Sequence, residues 1–210
     1  MVAPEGRSVV VGAAVGAVVV TYAVGMVWST PFWVLFVALL MVFREPKRVV
    51  PALPLAIISP VDGKVVAIGE KYDHWLNRDA LVIGIQAHAP GITALRSPTE
   101  GKVMDFWTNL GTQEVSARSP TEYTVWVQTD EFDDVIISVV ARDFSRFKAD
   151  VAPGERVGQG QRNGFIFFVK RVDLLLPVES SIEVSPGDSV LAGSGVVAML
   201  LRDESGNSPI

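Results

Sequence analysis

The sequence predicts a mainly β domain set behind an N-terminal helical hairpin. Three observations carry this. Residues 9–28 hold no charged side chain over 20 positions, and a second apolar run, 32–43, follows almost at once. Beyond residue 48 the chain falls into short runs rich in Val, Ile and Phe, closely spaced and punctuated by Gly and Pro, as in a barrel or sandwich. No stretch there keeps a 3.6-residue period over 12 residues, so helix should be minor.

The hairpin comes first. A helix rising about 1.5 Å per residue covers roughly 30 Å over residues 9–28, the thickness of a bilayer core. Thr30 is placed as the N-cap of a second helix with Pro31 at its first position. The second arm is short for a span, so a tilted or partly re-entrant arm is expected. Arg44, Lys47 and Arg48 follow it and favour a cytoplasmic exit at the inner membrane. A signal peptide does not fit, since the apolar run is too long and no small-residue cleavage site follows.

The globular part repeats a theme. Ser59-Pro60-Val61-Asp62-Gly63-Lys64-Val65 and Ser97-Pro98-Thr99-Glu100-Gly101-Lys102-Val103 each read as a turn set by Pro, a positive φ at Gly and a strand restarting at Lys-Val. Ser119-Pro120-Thr121 and Ser185-Pro186-Gly187 echo the opening. Pro153-Gly154-Glu155-Arg156-Val157-x-x-Gly160 parallels Pro186-Gly187-Asp188-Ser189-Val190-x-x-Gly193. Strands are expected at 81–85, 125–128, 135–140 and 165–168. The organisation predicted is a hairpin over 1–48, a β-rich domain over 49–200 and a flexible tail over 201–210.

Composition excludes several functions. The chain has no Cys, so disulfides and thiolate metal sites are absent, and two His, His74 and His88, are too few for a histidine-rich metal site. Net charge is −5, with +2 on residues 1–48 and −7 on the rest; no basic stripe suits nucleic acid.

Several motifs, taken in order, resemble the phosphatidylserine decarboxylase family. Phe43-Arg44-Glu45-Pro46-Lys47-Arg48 is similar to its Phe-Arg-Asp-Pro-x-Arg exit from the membrane segments. The Ser59 to Val65 motif is similar to Ser-Pro-Ala-Asp-Gly-Lys-Val. Arg96-Ser97-Pro98-Thr99-Glu100-Gly101-Lys102-Val103 is similar to Asn-Arg-Ala-Pro-x-x-Gly-x-Val, and Gly158 to Pro177 to the strand around the family's cleavage site. The Pro-Gly-acid turns also occur in biotinyl and lipoyl carrier domains. Together they imply a barrel-sandwich-hybrid-like decarboxylase domain, and a shared fold speaks little for activity.

The resemblance implies a pyruvoyl enzyme. A Ser hydroxyl attacks the preceding Gly carbonyl, the chain splits through an ester, and the new N-terminus becomes a pyruvoyl group that holds the substrate amine as a Schiff base. A His base and an orienting Asp serve the hydroxyl. Here Asp62 stands at the family Asp, Thr93 at the family His, and Val169 and Lys170 at the Gly-Ser pair. Thr is no base near pH 7, and Lys cannot become pyruvoyl, so no cofactor is expected from this position.

The one Gly-Ser pair in the chain is Gly193-Ser194, expected to be a hairpin loop; a pyruvoyl group would require self-cleavage elsewhere, for example at Ser194. Leu110-Gly111-Thr112 only superficially resembles a cleavage motif. His88 is expected to be partly buried and hydrogen-bonded, His74 to be on the surface, and Lys170 to point to solvent from a sheet edge, blunting edge pairing. Lys64 and Lys102 are expected to be unmodified.

Three functions remain open at this stage. The first is a membrane-bound, unprocessed relative of phosphatidylserine decarboxylase in phospholipid metabolism, binding membrane phospholipid or a partner enzyme of lipid synthesis. The second is an active pyruvoyl enzyme with displaced catalytic residues. The third is a membrane-tethered structural or adaptor module. A homo-oligomer is compatible with all three.

Overall fold

The computed structural model describes residues 4–42, 48–88, 92–109, 122–141, 147–167 and 169–201. The expected basic exit at 43–47, the Leu110-Gly111-Thr112 and Ser119-Pro120-Thr121 segments and the tail from 202 lie outside the described residues. The chain divides into two compact units, Met1–Lys47 and Arg48–Ile210.

In the first unit, helices α1 (Pro4–Val24) and α2 (Met26–Val42) pack against each other, with Trp33 Nε1 donating to Thr21 Oγ1 at 3.1 Å. The boundary corrects the sequence reading. Gly25, with φ +86°, breaks the apolar run 9–28, so Trp28 belongs to α2. Thr30 is no N-cap and Pro31 no helix start: both lie inside α2. Pro31 has no N–H to give the Val27 carbonyl, and that carbonyl accepts the Thr30 hydroxyl instead, at 3.0 Å. Among the described residues, no helix is long and apolar enough to cross a membrane.

The second unit is mainly β, and no helix occurs among its described residues. Its strands are β1 (Ala56–Ile58), β2 (Gly63–Asp73), β3 (Arg78–Ala87), β4 (Ile92–Arg96), β5 (Gly101–Asn109), β6 (Glu122–Gln128) and β7 (Asp134–Ala141). They continue with β8 (Phe147–Ala149), β9 (Arg156–Val157), β10 (Arg162–Phe167), β11 (Val169–Leu176), β12 (Ser181–Ile182), β13 (Ser189–Val190) and β14 (Val196–Met199). Eight of them form a curled half-barrel in the order β13-β2-β3-β11-β7-β6-β5-β9; β1-β14-β12 and β4-β10-β8 form two small sheets.

Period-2 alternation decides which face is core. Val65, Ile83, Ile85, Ile137, Val172 and Leu174 point inward and are essentially inaccessible to solvent. Each such side chain contributes about 1.5–3 kcal/mol by leaving water.

The sequence repeat is a structural repeat. The first glycines of the two Pro-Gly turns, Gly154 and Gly187, have φ +91° and +105°, and the last, Gly160 and Gly193, both have φ +73°. The Gly160 N–H donates to the Ser97 carbonyl and the Gly193 N–H to the Ser59 carbonyl, each at 2.9 Å. β9 pairs with β5 as β13 pairs with β2. The units also interlock reciprocally: Ile58 N–H donates to Pro98 O at 2.9 Å, and Arg96 N–H to Pro60 O at 3.0 Å.

One part of the turn reading is corrected. Gly63 does not supply a positive φ. It is Gly because a Cβ there would sit 2.5 Å from the backbone oxygen of Gln86 on β3, so only a bare Cα permits this β2–β3 approach.

Candidate functional site

The two halves of the repeat are alike in backbone and unlike in charge. Beside Gly160 lie the apolar side chains of Val50 and Ile58; at the equivalent places beside Gly193 lie Arg48 and Arg96. Asp62 opens the second of these neighbourhoods. Arg48 Nη2 donates to its two carboxylate oxygens at 3.1 and 3.0 Å, and the Ala192 N–H donates to Oδ1 at 2.8 Å. Arg96 Nη1 donates to the Gly160 carbonyl at 2.9 Å. The carboxylate is half-exposed, so Arg48 screens and orients it without burying it.

Asp62 therefore joins the turn that carries Gly193-Ser194. Ser194 N–H and Gly195 N–H both donate to the Leu191 carbonyl, at 3.2 and 2.8 Å, which makes this segment the tight loop its sequence predicts. Arg48, Arg96 and the Ala192 N–H were not singled out from the sequence as site residues. The signal that could have found them is the point where the repeat stops being symmetric in charge.

The other positions that the resemblance singles out lie elsewhere. Thr93 is on β4, paired across to Ile166 on β10. Its hydroxyl is buried and has no hydrogen-bond partner among the described residues. Asn163, on β10, is likewise fully buried, with both side-chain polar atoms unpaired among the described residues.

Val169 is buried at the start of β11, and Lys170 is exposed. The β11–β7 register shifts between Val169, opposite Ala141, and Arg171, opposite Val140, so Lys170 is the extra residue of a β-bulge. It points to solvent as expected. The edge position does not hold, since β11 lies between β3 and β7, and the bulge supplies the exposure instead. Lys170 has no hydroxyl to attack the Val169 carbonyl, so the residues at this position do not fit a pyruvoyl group.

The histidines divide. His74 lies exposed in the turn after β2, as expected. The His88 side chain is exposed where partial burial was expected: it follows the last residue of β3, and its backbone N–H donates to Asp62 O at 3.1 Å. Lys64 and Lys102 are exposed on their strands.

Comparison with known proteins gives these positions their context. A sequence model of the phosphatidylserine decarboxylase family matches residues 36–198. The chain is similar to the phosphatidylserine decarboxylase proenzyme of Nitrosomonas europaea, 34% identical over 205 residues and 94% of each chain. It is 35% identical to that of Nitrosomonas eutropha over 205 residues, again 94% of each chain. With that of Aromatoleum aromaticum the identity is 32% over 206 residues, 95% of this chain and 96% of the relative. No solved structure matches. The chain belongs to the phosphatidylserine decarboxylase family.

Proposed function

We propose that this chain is an unprocessed member of its family that acts in phospholipid metabolism without decarboxylating. The observation that carries this reading is Lys170, an exposed bulge residue where the family places the Ser that becomes its pyruvoyl group. Thr93, with a buried and unpaired hydroxyl, stands where the family places its base. Asp62 is retained, but its carboxylate is held by Arg48 and the Ala192 N–H. We read the paired turn units as a variant of the barrel-sandwich hybrid.

The role that remains is binding, to membrane phospholipid or to a partner enzyme of lipid synthesis. In support, both helices carry exposed apolar side chains, among them Val19 at 59%, Trp28 at 76% and Met41 at 74%. Such surface calls for lipid or for another protein. The reading places the hairpin in the inner membrane and the β domain on its cytoplasmic side. The test is release of CO₂ from phosphatidylserine by the purified chain, where none above a buffer blank is expected. Release that disappears on treatment with a carbonyl reagent overturns the reading.

One observation favours a second reading. The chain's only Gly-Ser pair directly follows Ala192, whose N–H binds Asp62. An enzyme with a displaced site would be cut before Ser194 and carry its pyruvoyl group there.

A further inference from the structure

The outer face of the half-barrel carries a cleft separate from residues 62, 93, 169, 170 and 194. Strand register sets two rows of side chains there. One runs Val82, Leu175, Ile136, Trp126; the next runs Gly84, Asp173, Ser138, Thr124, Trp107. Against these rows opens a cleft of about 360 Å³ lined by Tyr72, Trp75, Val82, Leu175, Glu122 and Asp173, with Lys71 and His74 also on its wall.

The aromatic side is fixed. Trp75 stacks on Trp107 with centroids 5.1 Å apart, and Trp107 stacks on Trp126 at 5.9 Å. Trp126 Nε1 in turn donates to Asp134 Oδ1 at 2.8 Å. The acidic side is half committed. Arg171 holds Asp173 Oδ1, and the Ser138 hydroxyl holds Glu122 Oε1. Asp173 also lies within reach of the positive charge of Lys71 and the negative charge of Glu122.

We propose that this cleft binds an organic ammonium ion, its cationic face on the indole of Trp75, its charge met by Asp173 and Glu122. The chemistry is that of aromatic recognition of alkylated ammonium groups, completed by carboxylates. Burial pushes the Asp173 carboxyl above its ordinary value, a desolvation that an arriving cation offsets. Lys71, paired across to Ala80 on the same face, opposes added positive charge and can meet an anionic group, so a zwitterion fits better than a simple monoamine and a diamine does not fit. The assignment is independent of whether the chain decarboxylates.

The test is calorimetric titration of the full chain, in a maltoside detergent, with choline and with its uncharged isostere 3,3-dimethyl-1-butanol. Saturable binding of choline and none of the alcohol is expected. Glu122→Gln, which keeps a partner for Ser138, weakens choline binding by about tenfold, and Trp75→Leu abolishes it. Because replacing Asp173 would strand Arg171, the proposal is tested on these two variants, each first shown to be folded by its thermal transition. Equal binding of choline and the alcohol, no binding of choline, or unchanged affinity in Glu122→Gln each overturns it.

Discussion

Arg171 lies flat on Gly84. A Cβ built on Gly84 would sit 2.7 Å from Arg171 Nη2 and 2.9 Å from Cζ and Nε. Gly84 pairs across the sheet with Asp173, so the missing side chain is what lets the guanidinium reach that carboxylate. The Gly84→Ala variant should displace a flexible side chain and weaken one partly exposed ion pair, costing about 1 kcal/mol. Gly63→Ala drives a Cβ into the backbone oxygen of Gln86, which cannot step aside. It should cost about 3 kcal/mol, roughly 6–12 °C in Tm. Thermal unfolding of the two variants side by side checks the ranking.

Thr93 should behave as a core residue. Its hydroxyl is buried and unpaired, so Thr93→Val exchanges an unsatisfied polar group for a methyl of the same shape. Stability should be unchanged or rise by about 1 kcal/mol. A loss above that, measured by urea unfolding, would show the hydroxyl has a partner that matters.

Asp133 should set part of the pH dependence of stability. Burial, then the carboxylates of Glu131 and Asp134, raise its pKa above the ordinary 3.8. The native state therefore holds this proton more tightly than the unfolded chain does. As pH climbs from the unfolded value through the raised native one, that advantage is lost, and the ionised carboxylate opposes folding above it. Asp133→Asn should leave stability unchanged near pH 3 and raise it at pH 7. Denaturant midpoints at both pH values test this; a variant less stable at pH 7 refutes it.

Much of the β domain was legible because turn chemistry is local. The Pro-Gly turns, the Ser59-Pro60 and Ser97-Pro98 units and the runs at 81–85, 125–128 and 135–140 fall where the structure has turns and strands. What failed depended on packing or on competition between signals. Gly25 outweighed Thr30-Pro31 as the helix break, because an unbranched left-handed residue ends a helix while Pro31 could be absorbed through the Thr30 hydroxyl. Gly63 and Gly84 answer to the neighbouring strand, which no local pattern records. The Lys170 bulge arises from register with β7, some 30 residues upstream. The Arg48–Asp62–Ala192 junction joins three distant segments, and only the broken symmetry of the repeat pointed to it.

Self-cleavage separates the unprocessed chain from an enzyme with a displaced site, and intact mass reads it directly. The purified chain should give one species near 22.6 kDa, unchanged by Ser194→Ala apart from the lost oxygen. Two fragments, the C-terminal one blocked at its N-terminus, would contradict this, and a cut lost in Ser194→Ala would place the pyruvoyl group beside Asp62.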